Sequence, residues 1–294
     1  MPLTIKRTNS TSIAANSVLF NGSSQYLSVG RILDNSTDVT IEAWVYVTST
    51  PPSNGAYVVS QYVGGAADRT LFPVDSTLKV GIQIGSTYVG SVTAITLNTW
   101  YHLAWVRSGS GANNFSIYIN GVRDGQMTYT GTFQNTPTTI GGTNNLASTY
   151  FPGYISNLRI LKGTALYTGA SFTVPTTPLT AIANTALLTC NSATIIDSST
   201  NNFAITNNNA ATVSSINPFR APINNFQFAK RTSDAVGNSV LFNGSTQYLS
   251  VPGSAAFAFG TGSFTTEWWQ YMTSQPSNPR VFSIGNYPST SVGV

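Results

Sequence analysis

Histidine and cysteine are almost missing from these 294 residues, which hold one of each, His102 and Cys190. A single cysteine closes no intrachain disulfide, and one distant histidine beside it makes neither a catalytic dyad nor a metal cluster. Charge is scarce too, at 7% of the chain against roughly a quarter in ordinary soluble domains. The 13 basic residues give a net charge of +4 but no run longer than Lys6-Arg7 and Lys230-Arg231. A phosphate-binding surface needs clustered cations, so no nucleic-acid partner is expected. No apolar run approaches the ~18 residues of a spanning helix, and no membrane insertion is expected. The first residues, MPLTIKRTNSTS, lack the apolar core of a secretory signal, which predicts synthesis in the cytoplasm.

What the chain does have is enough apolar material for a core, 41% hydrophobic and 12% aromatic, with Asn, Ser, Thr and Gly in place of charge. The apolar segments are short, β-branched or aromatic, and bounded by turn residues, which is strand punctuation. Residues 39–47 and 100–107 alternate. Phe115-Ser116-Ile117-Tyr118-Ile119, then Asn120-Gly121, then Val122-Arg123, reads as a hairpin with a type I′ turn, because Asn-Gly tolerates positive φ at both central positions. Further strands are predicted at 18–20, 26–29, 57–60, 78–84, 138–140, 154–161, 187–190 and 203–206. No long stretch has a 3.6 period, and only residues 163–167 could hold one helical turn. The pattern predicts an all-β fold, a two-sheet antiparallel β-sandwich. Trp44, Trp100 and Trp105 are expected in its core, and Cys190 is expected to pack as a small hydrophobe.

The chain also repeats itself. Residues 16–29 (NSVLFNGSSQYLSV) return at 238–251 (NSVLFNGSTQYLSV) with Ser24 changed to Thr246, and the strand ending Glu42-Ala43-Trp44 returns in pattern at 263–268. So long a period is a whole domain and not a solenoid unit. One complete domain and the opening of a second, truncated copy are therefore expected. Val174-Pro175-Thr176-Thr177-Pro178 is the linker candidate, and proteolysis is expected to leave a core ending between about 165 and 185. The Asn-rich stretch 187–219 could close the first sandwich or open the second.

Three stretches carry a family resemblance. Val18-Leu19-Phe20-Asn21-Gly22 with Gln25-Tyr26-Leu27 leads to Thr40-Ile41-Glu42-Ala43-Trp44-Val45; Trp100-Tyr101-His102-Leu103-Ala104-Trp105-Val106-Arg107 leads to Phe115 through Gly121; and Phe151-Pro152-Gly153-Tyr154-Ile155-Ser156-Asn157-Leu158-Arg159-Ile160 follows. In this order they resemble the laminin-G-like branch of the concanavalin A-like lectin/glucanase superfamily. The resemblance implies a concanavalin A-like jelly roll and a structural, hydrogen-bonded role for His102. It also implies that a segment like Leu187-Leu188-Thr189 with Asp197-Ser198-Ser199 precedes the Phe-Asn-Gly strand, which assigns 1–182 to the first domain and 183–294 to the second, incomplete one. The tandem, Asn-rich, cysteine-free form is similar to repeats in tailed-phage structural proteins such as tail fibres and decoration proteins. That similarity implies a virion or extracellular-surface location after cytoplasmic synthesis.

A retaining glycosidase needs two carboxylates about 5 Å apart. The nine acidic residues form no such motif, so a glycoside hydrolase is the lesser reading and no catalytic residue is expected. No cofactor is expected, although the resemblance allows calcium; its oxygen-ligand candidates are Asp68, Asp75 and Asp124, which read better as turn or surface residues. Loop aromatics beside amides suit sugar binding, because an aromatic face covers a sugar's C–H face while amides meet its hydroxyls. Tyr62, Arg69, Tyr88, Asn144, Asn145 and Tyr150 are the candidates, with Tyr57 and Phe151 near them. The expected function is a non-catalytic recognition or adhesion module for a cell-surface glycan, with weak sites and little salt dependence. A structural virion module that contacts only other virion proteins is the alternative.

Overall fold

A computed structural model of the chain describes residues 16–34, 38–62, 64–65, 69–143, 145–146, 148–219, 240–243 and 245–251, with 265, 268, 272, 281, 283–284 and 292–293 beyond them. Lys6-Arg7, Lys230-Arg231, Asp68, Asn144 and Glu267 lie outside these residues. The chain divides into two compact units, Met1–Asn224 and Asn225–Val294. Every regular element among the described residues is a strand, and residues 163–167 form no helical turn.

The first unit is the predicted sandwich of two antiparallel sheets. The first sheet runs β10 (Val122–Met127), β9 (Phe115–Ile119), β8 (Trp100–Arg107), β3 (Val39–Val47), β12 (Pro152–Lys162), β1 (Ser17–Asn21), β15 (Thr212–Ser214), with β13 (Thr185–Thr189) also on β12. The second runs β14 (Thr206–Asn208), β2 (Tyr26–Val29), β11 (Thr138–Ile140), β4 (Ala56–Tyr62), β5 (Arg69–Val74), β6 (Lys79–Ile84), β7 (Thr87–Ala94). Strand alternation sends Val18, Phe20, Ile41, Ala43, Val45, Leu103 and Ile117 inward from the first sheet to meet Leu27, Val59, Phe72, Val80 and Ile82 from the second in one core. Trp105 pins the sheets together: its ring lies 5.6 Å from Phe72, and its indole N–H donates to the Gly81 carbonyl at 2.9 Å. The expected hairpin is present, with Asn120 and Gly121 at φ 47° and 78°.

Two sequence expectations are corrected. Trp44 and Trp100 alternate with Ala43, Val45 and Leu103, so they sit half-buried on the outer face, and of the three tryptophans only Trp105 is core. The boundary near 182 also fails. β13 pairs with β12, β15 with β1 and β14 with β2, so the segment assigned to the second copy completes the first sandwich. The reason lies in β12. β1 covers only its first part, Pro152 to Ile155, and β13 takes up Leu158 to Leu161, which would otherwise leave buried backbone groups unpaired. Cys190 follows β13 into the core, where burial pushes its thiol up to about 12.

In the second unit β16 (Ser283–Ile284) pairs with β17 (Val292–Gly293). The repeated block keeps its turn: Asn243 Oδ1 accepts from the N–H groups of Ser245, Thr246 and Gln247, as Asn21 Oδ1 does from Ser23, Ser24 and Gln25.

Candidate functional site

The outer faces of the two sheets differ. On the first sheet Glu42 is fully buried, and the register that sets it opposite Arg159 depends on a bulge in β12 between Ser156 and Arg159. One extra residue there, Asn157 at φ 52° among them, changes the parity of the strand and turns Arg159 outward. Glu42 Oε1 accepts from Arg159 Nε and Nη2 at 2.9 and 2.6 Å; Oε2 meets His102 Nε2 at 3.1 Å and accepts from the Tyr167 hydroxyl at 2.8 Å. Burial pushes the Glu42 carboxyl up, but the His102 hydrogen bond and the Arg159 and His102 charges outweigh it and hold the group below its ordinary value. Residues 163–184 run across this face. Tyr167 and Phe172 stack at 3.6 Å, and Tyr118 donates to the carbonyls of Tyr167 and Gly169. His102 therefore has the hydrogen-bonded structural place expected of it.

The second sheet carries three of the sugar-binding candidates, Tyr62, Arg69 and Tyr88. A bulge between Tyr57 and Val59 sends Val58 and Val59 into the core and leaves Tyr57, Ser60 and Tyr62 on the outer face. Thr139, Ser60, Leu71, Gln83 and Tyr88 then line up across five strands. Tyr57, Tyr62 and Leu71 form a small cluster with Leu146 packed against it. Arg69, opposite Tyr62 in register, places its guanidinium carbon 5.8 Å from that ring, and Asn145 Nδ2 donates to the Tyr62 carbonyl at 2.6 Å. Tyr62, Arg69 and Asn145 are thus brought together, and Tyr57 joins them.

Tyr88 lies farther along the same face. A Cβ on Gly81 would sit 2.7 Å from the Tyr88 ring, and one on Gly90 would sit 3.2 Å from its hydroxyl, so the ring rests on bare backbone. Its hydroxyl donates to Asp75 Oδ2 at 3.0 Å, which fixes the ring's direction, while 47% of the residue stays exposed. Burial first, then Asp75, pushes the phenol up to about 12. Asp75 Oδ1 accepts from the Thr77 N–H, the Thr77 hydroxyl and the Lys79 N–H, and these bonds with the one from Tyr88 outweigh burial to hold the carboxyl below its ordinary value. Tyr150 is tilted against Tyr26, with ring centroids 6.3 Å apart. Phe151 is core.

Residues 21–166 match the concanavalin A-like lectin/glucanases superfamily. The match to this superfamily ends before β13, so the strands that complete the sandwich lie outside it. No curated protein matches the chain. Among solved structures, a candidate carbohydrate-binding protein from Bacteroides ovatus is similar at TM-score 0.51 and 17% identity, over 68% of this chain and 60% of that one. A heptameric SAP-like pentraxin from Limulus polyphemus gives TM-score 0.41 and 19% identity over 53% and 79%. Domain 4 of AbnA, an extracellular arabinanase from Geobacillus stearothermophilus solved with arabinotriose, gives 0.41 and 22% over 51% and 71%.

Of the three aspartates named as calcium candidates, Asp75 and Asp124 lie among the described residues. Asp75 is occupied as described, Asp124 Oδ1 accepts the backbone N–H groups of Val92 and Thr93, and Asp68 lies outside the described residues. Among the described residues no three His, Cys, Asp or Glu side chains assemble. Sequence reasoning missed two features: the Glu42 network and the support that Gly81 and Gly90 give Tyr88. Alternation places Glu42 and His102 each on one face of its own strand, but the pairing that sets them side by side and the bulge that brings in Arg159 leave no signal in spacing.

Proposed function

We propose that the first unit is a non-catalytic glycan-recognition module that binds along the outer face of its second sheet. The observation that carries this reading is Tyr88, a ring laid on two glycines, held by Asp75, with its free side turned to solvent. Such a ring is prepared to cover the C–H face of a sugar before the ligand arrives, which keeps the ordering cost of binding low. The superfamily match and the Bacteroides ovatus neighbour support the ligand class. Support for the non-catalytic part comes from the carboxylates, since Glu42 is roofed and bonded on both oxygens and Asp75 and Asp124 are taken up by donors. The near-identical block at 238–251 supports display in tandem on a virion or other surface protein, where weak sites gain by effective concentration.

The test is a glycan array probed with the multimerised full chain. Y88A is expected to weaken binding by about fivefold or more. G81A, whose new methyl would lift the ring, should do the same while leaving the unfolding temperature near that of the parent. Purified protein should release no reducing ends from a polysaccharide panel. Release that vanishes on changing one Asp or Glu would install the glycosidase reading. Firm attachment to capsids or tails with no array signal would install the structural one.

A further inference from the structure

The cluster at Tyr57, Tyr62 and Arg69 has a chemical bias that the sugar-stacking ring lacks. Tyr57 and Tyr62 are only 2% and 6% exposed, yet neither phenol has a hydrogen-bond partner among the described residues. Neither phenol oxygen is among the buried atoms left without a partner, so each reaches solvent and is free to donate to an arriving acceptor. Arg69 forms no ion pair among the described residues; its Nε donates to the Gly65 carbonyl at 3.3 Å, and its two terminal nitrogens have no acceptor among the described residues. The three groups sense one another, because the Tyr57 phenol, pushed up to about 12 chiefly by burial, is lowered by Arg69 and raised by Tyr62. Around them Ser60 and Thr139 are satisfied by each other at 2.6 Å, and Asp75 is already bonded by Thr77, Lys79 and Tyr88. The cluster is thus rich in donors, carries an arginine charge that forms no ion pair among the described residues, and faces the same side as Tyr88.

We propose that the glycan read by this face is acidic, with a sugar carboxylate received by the planar fork of Arg69 and by the hydroxyls of Tyr57 and Tyr62. A guanidinium matches a carboxylate through two parallel hydrogen bonds, and in a partly dry site such charge-assisted bonds are stronger than those to a neutral hydroxyl. The proposal rests on the glycan reading above and narrows it. It also reverses the weak salt dependence expected from the overall scarcity of charge, because a single desolvated ion pair dominates recognition.

The experiment measures binding of the multimerised full chain to matched pairs that differ only in the acid: oligogalacturonate against its methyl ester, and 3′-sialyllactose against lactose. At least one acidic member should bind about tenfold or more tighter than its neutral partner, and the gap should shrink as salt rises from low to moderate. R69Q should bring the acidic-to-neutral ratio close to one, R69K should leave an intermediate ratio because charge remains without the fork, and the Y57F/Y62F pair should lower the ratio severalfold with the rings kept in place. The uronic and sialic arms identify which acid is read. Equal binding of acidic and neutral members would overturn the proposal and leave the glycan reading standing. Binding of neither pair, with the array also silent, would overturn both.

Discussion

Glu42 concentrates the residue-scale physics of the first sheet. Its carboxylate has no exposed surface, yet four hydrogen bonds from three side chains satisfy both oxygens. Removing one partner of such a buried pair costs about 3–5 kcal/mol, because the opposite charge is left without compensation. E42A should therefore lower stability by about that amount, and E42Q by less. The pH dependence has a definite sign. The folded-state pKa lies below its ordinary value of 4.5, so in acid the unfolded chain takes up a proton that the folded one refuses. Stability from this group is full above about pH 4.5 and is lost as pH falls through the folded value. Asp75 shifts in the same direction and adds less, being only partly buried and so screened by solvent. Thermal melts between about pH 3 and 7 should show E42Q less stable than the parent near neutrality and with a shallower acid decline. An unchanged melting profile would remove Glu42 from the account of stability.

At the scale of elements, strands with apolar alternation were legible and those built on polar pairing were not. The Asn120-Gly121 hairpin and the strands around Val45, Leu103 and Ile155 could be read directly, because alternation reports a one-sided burial. β5 contains Pro73 after Leu71-Phe72, and β7 contains Gly90 between Val89 and Ser91, so neither shows that pattern. β14 and β15 were harder still, since three-residue strands carry no period. Their hairpin is instead docked by amides onto the turn after β1: Asn209 Nδ2 donates to the Ser24 carbonyl at 2.8 Å, Gln25 Nε2 to the Ala210 carbonyl at 2.9 Å, and Asn208 Nδ2 to Ser28 Oγ at 3.0 Å. The candidate site was half legible for the same reason: residue types pointed to Tyr62, Arg69, Tyr88 and Asn145, but what lays the Tyr88 ring on the sheet is the missing side chains of Gly81 and Gly90 across it. The β14–β15 turn also carries a defect. Asn209 and Ala210 both have positive φ, at 58° and 57°, and a Cβ disfavours that region by about 1–2 kcal/mol. A210G should raise stability by roughly 0.5–1 kcal/mol, net of the glycine's greater unfolded-state entropy. A denaturation midpoint that stays put or falls would show that the turn relaxes elsewhere.

At the scale of the whole molecule, the duplicated block separates local from tertiary encoding. Asn21 and Asn243 fold the same side-chain-capped turn, so that feature belongs to the sequence alone. The strands on either side do not follow it. Phe20, Leu27 and Val29 are 1%, 0% and 4% exposed against β12 and β11, while Phe242, Leu249 and Val251 are 44%, 49% and 69% exposed. Strand formation thus depends on neighbours, and for the first unit those neighbours include β13. Leu187 and Leu188 are buried in that strand, and losing side chains of this kind costs about 2–5 kcal/mol each out of a typical domain stability of 5–15 kcal/mol. A chain cut at residue 182 should therefore be insoluble or unfolded, whereas one cut after Asn224 should unfold cooperatively with the same midpoint as the corresponding transition of the full chain. Limited proteolysis of the full chain should accordingly protect a fragment that extends past Ser214, the end of β15. Recovery of a stable fragment ending between 165 and 185 would show that β13 to β15 are dispensable and would restore the shorter domain.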